Sequence, residues 1–416
     1  MTRLFVIGGG LAGLSAAVAA ASEGVETIVY EAAGQAGGRC RSYYDPALDC
    51  VIDNGNHLVL SGNTSVALYL KTIGAKNALA GPALAVFDFA DLASGAHWVL
   101  RPNEGPLPWW IFAKDRRVPG TTAFDYARLA AIYIAGPNAC IEDLIPTHGA
   151  LWERMLRPVL LAIMNTDPAK ASARLAGAVL QETLAKGGRA YRPRIAHPTL
   201  AAAFVEPALS YLTAKSGMIH FGQRLRKIVF EGDQVTALEF PENRITIAPQ
   251  DRIILAVPPW VARDLVPDLS APTEFRSIVN AHFKIAASAG APAMLGLVNS
   301  TAEWIFTFPD RISVTVSGAD AIVDRDREDL ARLLWADVAK ALNLPPELPV
   351  WQIVKEKRAT FAATPEQNAL RPSAKTAWKN LILAGDWIQT GLPATIEGAL
   401  RSGQTAAQLA CAPQTV

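Results

Sequence analysis

The sequence predicts an α/β fold in which a nucleotide-binding parallel sheet is interrupted by an inserted region of mixed sheet and helix. Three observations carry this reading. An apolar run, Leu4 to Ile7, leads straight into Gly8-x-Gly10-x-x-Gly13 and an alanine-rich stretch. A second apolar run, in "NLILAGDW", returns near the C-terminus ahead of another small-residue helix. Between the two lie turn-rich, helical and alternating segments with little dinucleotide-binding character. Length agrees, since 416 residues exceed one ordinary compact domain and favour two or three.

The first element is "RLFVIGGGLAGLSAAVAAASEGVETIVYEA", which reads as strand, glycine turn, helix and second strand, the Rossmann-like order. In that context Gly8 permits the tight turn, Gly10 lets the backbone approach a pyrophosphate, and Gly13 lets the helix pack closely on the sheet. The helix start, with Leu11 and Ala12, turns backbone donors toward the phosphate charge. Glu31, followed by Ala32, falls 18 residues after Gly13, where a carboxylate can bond both ribose hydroxyls of an adenosine and would repel a 2′-phosphate. The competing reading is a glycine-rich turn in an ordinary α/β unit. Next comes "AAGQAGGRCRS", in which Gly37 and Gly38 again bring backbone close and Arg39 can reach a phosphate or ribityl oxygen.

From residue 76 to 204 the pattern turns mostly helical: "FDYARLAAIYIAG", "LWERMLRPVLLAIMNT" and "ASARLAGAVLQETLAKGG" space apolar residues three and four apart, with Pro158 predicting a kink or break. Residues 205–265 return to α/β, with a helix, a strand near Met218 to Phe221, a hairpin turning at Gly232-Asp233, and a strand ending at Pro258-Pro259. Residues 266–374 form a second insertion, with alternating strands in "SIVNAHFKI" and "EWIFTFPDRISVTVSG" and an amphipathic helix in "DREDLARLLWADVAKAL". Residues 375–416 complete the sheet. The expected organisation is therefore a discontinuous nucleotide-binding domain from 1–75, 205–265 and 375–416, and a substrate domain from 76–204 and 266–374.

Composition narrows the function. Lys plus Arg number 39 and Asp plus Glu 38, so no basic field for nucleic acid is present. Four cysteines, Cys40, Cys50, Cys140 and Cys411, are too scattered for a zinc site or redox dithiol, and no metal is expected. The N-terminus enters "RLFVIGGG" without a secretory pattern, and no run of about 18 uncharged apolar residues occurs. The expectation is a cytoplasmic protein, with peripheral contact to the inner face of the cell membrane as an option.

The glycine fingerprint followed by Gly-Gly-Arg resembles the flavin-dependent amine oxidase and phytoene desaturase superfamily. That resemblance implies FAD rather than NAD, a distinction composition and periodicity do not make. It also implies that Gly385 and Asp386 in "LAGDW" meet the ribityl chain, and that the helix start at Thr395 and Ile396 points at the flavin. Backbone N–H groups there can stabilise negative charge on a reduced isoalloxazine. The alternative is that Asp386 only caps a turn. The run "GGRCRSYYDPALDCVIDNGNHLVLSGN", with "LRPVLLAIMNTDPAKASA" and the C-terminal section, is most similar to the hydroxysqualene dehydroxylases of bacterial hopanoid synthesis. One departure is Asn56, where glutamine is more usual.

This narrower resemblance implies removal of an allylic hydroxyl from a C30 isoprenoid, hydroxysqualene, with hydride from reduced FAD, and association with other enzymes of squalene and hopanoid synthesis. It assigns Gly55 and Asn56 to the cofactor, and Trp109, Trp110, Leu161 and Asn165 to the substrate cavity. Asp53 and His57 are the candidates for protonating the departing hydroxyl, because a carboxyl in an apolar cavity holds its proton near neutrality. Asp53 as a turn-bonding structural residue, and His57 as an orienter of water or flavin, stay open. "GPLPWWIF" is a candidate membrane contact, with Trp109, Trp110 and Phe112 as core filling the alternative. Rival activities are a carotenoid or phytoene desaturase, an amine oxidase using Lys355 or Lys357 near the flavin, and a flavin-bound carrier or scaffold.

Overall fold

A computed structural model describes residues 2–412. Strand Arg3–Ile7 is the middle of a five-stranded parallel sheet, ordered 218–220, 26–30, 3–7, 252–255, 381–383. A parallel sheet is covered on both faces, so its strands read as unbroken apolar runs rather than alternating ones. On one face, Leu4, Val6, Val29, Ile254 and Ile382 pack under helices Leu11–Ser22 and Ile396–Cys411. These two helices approach closely: a Cβ on Gly403 would lie 2.2 Å from the Ala12 carbonyl oxygen, and Ser15 Oγ donates to the Leu400 carbonyl at 2.8 Å. Their small residues are thus the condition for the contact. On the other face, Phe5, Ile7 and Tyr30 join a cluster with Leu238 and Phe240 from an antiparallel sheet of strands 227–231, 234–239 and 244–246.

The second large sheet has seven strands, ordered 351–361, 275–283, 312–316, 304–307, 294–298, 87–91, 97–100. Its two faces differ, as the alternation in "NAHF" and "ISVTV" requires. Val279, Ala281, Phe283, Ile312 and Val314 pack under helix Arg327–Leu342 through Leu330, Leu334, Trp335 and Val338. The registers His282↔Ser313, Asn280↔Thr315, Trp304↔Thr315 and Phe306↔Ser313 put those side chains on the opposite face. Phe89 joins them there: a Cβ on Gly296 would lie 2.6 Å from the Phe89 ring and 3.1 Å from that of Trp304.

The block 76–204 holds more strand than its helical periodicity predicts. Leu79–Ala80, Phe87–Asp91, His97–Leu100 and Pro193–Ala196 are all strands. Strand 87–91 pairs in parallel with 294–298, a partner some two hundred residues away that local pattern does not reveal. The helices are short, at 123–127, 130–133, 157–164 and 173–182. Pro158 does not break its helix. A π-helical turn, Trp152–Leu156, runs without interruption into helix Arg157–Met164, so Pro158, which lacks an N–H and crowds the turn before it, follows directly on a locally widened helix.

Candidate functional site

The glycine turn separates into positions that packing demands and one that it does not. A Cβ on Gly8 would lie 2.4 Å from the Ala256 carbonyl oxygen, and one on Gly13 only 1.9 Å from the Gly8 carbonyl oxygen. Gly10 is different: it caps helix Leu11–Ser22 with φ of −73°, and a Cβ there meets no atom within 4 Å. Neither backbone angle nor protein contact calls for glycine at this position, so the open space beside the helix N-terminus is a cradle that a side chain would fill. Gly37 and Gly38 close in beside it. The Gly37 N–H donates to the Gly9 carbonyl at 2.8 Å, and a Cβ on Gly38 would lie 3.3 Å from Gly10 Cα. Glu31 ends the second strand; its carboxylate accepts from the Gly9 N–H at 2.6 Å and the Ala33 N–H at 2.7 Å, with Ala32 between.

Arg39 and Asp386, far apart in sequence, form an ion pair at 2.7 Å. Burial opposes the Arg39 charge, and the carboxylate of Asp386 outweighs it, holding the guanidinium above its ordinary value. The Arg39 side chain is 41% accessible and that of Asp386 7%, so Arg39 is the member of the pair open to an incoming group. Arg371 fixes the turn after Asp386, donating to the Asp386 carbonyl at 3.1 Å and to Thr390 Oγ1 at 2.9 Å, with its charge over the Phe361 ring. Burial lowers its pKa to about 10. Gly385 donates its N–H to Ser402 Oγ at 2.9 Å. Thr395 caps helix Ile396–Cys411, its hydroxyl accepting from the Gly398 N–H at 3.0 Å. Glu397 is buried and accepts from the N–H groups of Ser65 and Val66, each at 3.0 Å, which anchors helix Thr64–Thr72.

The segment after strand Cys50–Asp53 is clamped to the seven-stranded sheet. Asn280 Nδ2 donates to the Asn54 carbonyl at 3.4 Å, Asn56 Nδ2 to Thr315 Oγ1 at 3.1 Å, and Thr315 Oγ1 to Asn280 Oδ1 at 2.8 Å. Gly55 lies so close that a Cβ would sit 2.8 Å from Asn280 Nδ2. Asp53 is buried, and its Oδ1 accepts from Ser42 Oγ at 2.6 Å and from the Leu200 N–H at 2.9 Å. Burial raises its pKa while those two bonds pull it down. On balance the pKa is raised, and the two bonds tie the strand to the turn that opens the 201–214 helical segment. His57 is half-buried, and burial first, then the Arg39 charge, lowers its pKa to about 4. At neutral pH it carries no charge.

The residues assigned to a substrate cavity are scattered. Trp109 is 54% exposed at the surface, whereas Trp110 is buried edge-on against Tyr126. Asn165 is buried in the left-handed conformation that ends helix 157–164, a position asparagine tolerates. Its Oδ1 accepts from the Gly318 N–H at 2.6 Å, and its Nδ2 donates to Thr360 Oγ1 at 2.9 Å, so its amide is spent on the scaffold. Leu161 lies beside the same turn, 3.1 Å from where a Gly318 Cβ would stand. Glu303 accepts from the Ser317 N–H at 2.7 Å in this cluster, and burial pushes its pKa up to about 7. Lys355 and Lys357 do not approach the glycine turn: Lys355 bonds the Arg325 carbonyl, and Lys357 pairs with Asp324 at 2.6 Å with both side chains well exposed. Both lysines are thus engaged by neighbouring groups of the 324–325 turn. Asn280, Thr315, Arg371 and Glu397 were not anticipated. For the first two the signal was two polar residues on one face of strands otherwise apolar.

The cradle at Gly10, the accessible face of Arg39 and the capped helix start at Thr395 fit a dinucleotide with its phosphates at the first helix. The model of the flavin-containing amine oxidoreductases matches residues 11–411, and the chain belongs to that family. More narrowly, it is 49% identical to a hydroxysqualene dehydroxylase of Sinorhizobium fredii over 98% of each chain, and 50% identical to one of Rhodopseudomonas palustris with the same coverage. Among solved structures, cyclohexylamine oxidase of Brevibacterium oxydans superposes with a TM-score of 0.71 over 98% of each chain at 15% identity, a likeness of fold.

Proposed function

We propose that this chain is an FAD-dependent hydroxysqualene dehydroxylase, which releases the allylic hydroxyl of hydroxysqualene as water, installs hydride in its place, and so supplies squalene for hopanoid synthesis. The observation that carries this reading is the end-to-end identity of about half the residues with relatives of that name. Bound and reduced, FAD supplies the hydride. The Gly10 cradle and the N–H groups at Leu11 and Ala12 would hold the phosphates, Glu31 the adenosine ribose, and Arg39 with Asp386 the ribityl side. The sheet face that clamps Gly55 and Asn56 continues into Trp304, Phe306 and Phe89, which are buried in the apolar core beside it.

Departure of hydroxide needs help with its charge. His57 is the group we assign to contact the departing oxygen, donating a hydrogen bond from a neutral ring, given its lowered pKa, while the proton that completes water comes from solvent. Asp53 acts through the scaffold as a positioning residue, through its bonds to Ser42 and Leu200.

A single turnover of the reduced enzyme with hydroxysqualene, run in H2O and in D2O, tests the reading. The expected product is squalene with one new hydrogen at the carbon that lost oxygen. Failure to convert hydroxysqualene, with oxidation of phytoene or squalene by the oxidised enzyme instead, would select a desaturase. His57→Ala should slow turnover by about 10²-fold or more at full flavin loading, as loss of one donor to a developing oxyanion does. Asp53→Asn should lower the thermal midpoint more than the loaded rate. Near-normal turnover in His57→Ala would remove this loop from the chemistry.

A further inference from the structure

The segment 107–134 carries a concentration of exposed apolar side chains. Leu107, Trp109, Phe112, Phe124 and Ile134 are 54% to 86% exposed. Their arrangement follows from the local structure. In the 3-10 helix Trp109–Phe112, residues three apart eclipse, so Trp109 and Phe112 share a side while Trp110 turns inward onto Tyr126. Helix Ala123–Ala127 uses Tyr126 for that same contact, which leaves Phe124 outward. Two short elements are thus stapled to each other by one aromatic pair, and each presents an aromatic ring to solvent.

The charges among these rings are mostly basic: Lys114, Arg116, Arg117 and Arg128 against Asp115 and Asp125. Asp125 is already engaged, accepting from the Thr122 N–H at 2.7 Å and the Thr122 hydroxyl at 2.9 Å. Arg116 lies over the Trp109 ring at 4.6 Å and Arg128 over the Phe124 ring at 5.2 Å. Aromatic rings interleaved with arginines suit the headgroup boundary of a bilayer, where rings meet acyl chains and cations meet anionic headgroups. No helix among the described residues is long and apolar enough to cross a membrane, so this contact would be peripheral.

We propose that the 107–134 face, led by Trp109, Phe112 and Phe124, docks this protein on an anionic lipid bilayer. A second observation ties the face to the site. A cavity of about 800 Å³ has Ile132, Tyr133 and Ala135, from the end of this segment, on one part of its lining and Arg371 on another. Arg371 is the residue that donates to the carbonyl of Asp386. The docked face therefore borders a cavity of small-molecule size whose lining reaches Arg371, the residue that holds the Asp386 turn, a candidate inlet for a lipid drawn from the membrane. The inlet role rests on the isoprenoid reading above; the docking does not.

Sedimentation of the full chain with vesicles tests the docking directly. One set is phosphatidylcholine with about a third phosphatidylglycerol, the other phosphatidylcholine alone. The chain should partition onto the anionic set, and Leu107→Ser/Phe112→Ser/Phe124→Ser should reduce that partitioning by on the order of 1,000-fold, since each side chain forfeits roughly tenfold. These positions are exposed, so folding is retained. A control pair, Leu84→Ser/Met218→Ser, removes exposed apolar groups elsewhere and should bind as the unmodified chain does. Absence of binding to either vesicle, or equal binding by the triple variant, overturns the proposal. Self-association lost in the triple variant without vesicle binding would assign the face to a second copy and overturn it as well. Turnover of detergent-dispersed hydroxysqualene by the unmodified chain is read in parallel. Its failure would refute the substrate reading and leave the vesicle result standing, because vesicle binding needs no substrate.

Discussion

Replacing Glu303 by Gln removes an ionisable group from the cluster that joins Asn165, Ser317 and Gly318. The carboxyl goes from an ordinary pKa of 4.5 to about 7, first through burial, with the Ser317 N–H working against the rise. The native state therefore holds its proton where the unfolded chain has lost it. Stability from this group is fully present below pH 4.5 and declines as pH climbs to about 7. At about 1.4 kcal/mol per pH unit the span amounts to roughly 3 kcal/mol, discounted toward 2 for the partial solvent access of the side chain. Glutamine keeps an oxygen for the Ser317 N–H and has no charge to bury. For a chain of 416 residues, unfolding entropy makes 1 kcal/mol equivalent to about 1 °C. The variant should therefore melt about 2–3 °C above the parent near pH 8 and within about 1 °C of it near pH 5. Scanning calorimetry at both values checks this. An equal offset at both pH values, or a lower midpoint near pH 8, would show that the carboxyl is not held neutral by its surroundings.

Gly10→Ala and Gly13→Ala separate ligand space from packing. Gly10→Ala meets no protein atom and should leave the apoprotein midpoint within about 1 °C while weakening flavin retention on desalting; Gly13→Ala strikes the Gly8 carbonyl and should cost about 3 kcal/mol or more of stability. Retention of flavin by Gly10→Ala at the parent's affinity would contradict the phosphate cradle. Glu31→Ala should weaken FAD binding, read by titration of the apoprotein, with little change in the rate of the fully loaded enzyme, since the ribose is remote from the reacting carbon. His57 and His282 both have pKa values lowered to about 4 by burial, so they contribute stability that is present above pH 6.5 and lost as pH falls toward 4. In a Glu303→Gln background, which removes the opposing trend, the midpoint should fall between pH 7 and pH 5; a flat profile there would contradict the burial of the two rings.

The nucleotide-binding half was legible in the sequence because its determinants are local. Gly8, Gly10 and Gly13, the apolar runs beside them and Glu31 at the next strand end lie within one short stretch, and backbone geometry over that span depends on neighbours in the chain. The Gly-Gly-Arg and Gly-Asp elements were legible as motifs, but not the ion pair between Arg39 and Asp386, which joins residues 347 apart. The strands at 87–91 and 97–100 escaped notice for a related reason: short strands take their stability from partners, and the partner of the first is 294–298. Side-chain partners were the least legible. Asp53 and Asn165 are polar residues in apolar surroundings, a pattern that fits catalysis and scaffolding equally well until the donors and acceptors around them are known. The fold brings Ser42 and Leu200 to Asp53, and Gly318 and Thr360 to Asn165, because a buried polar group must have partners. Sequence alone determined the glycine turn, the succession of strand, helix and strand around it and the resemblance to a flavoprotein family. Tertiary structure decided which polar groups are already spent on one another, since that depends on contacts between segments hundreds of residues apart.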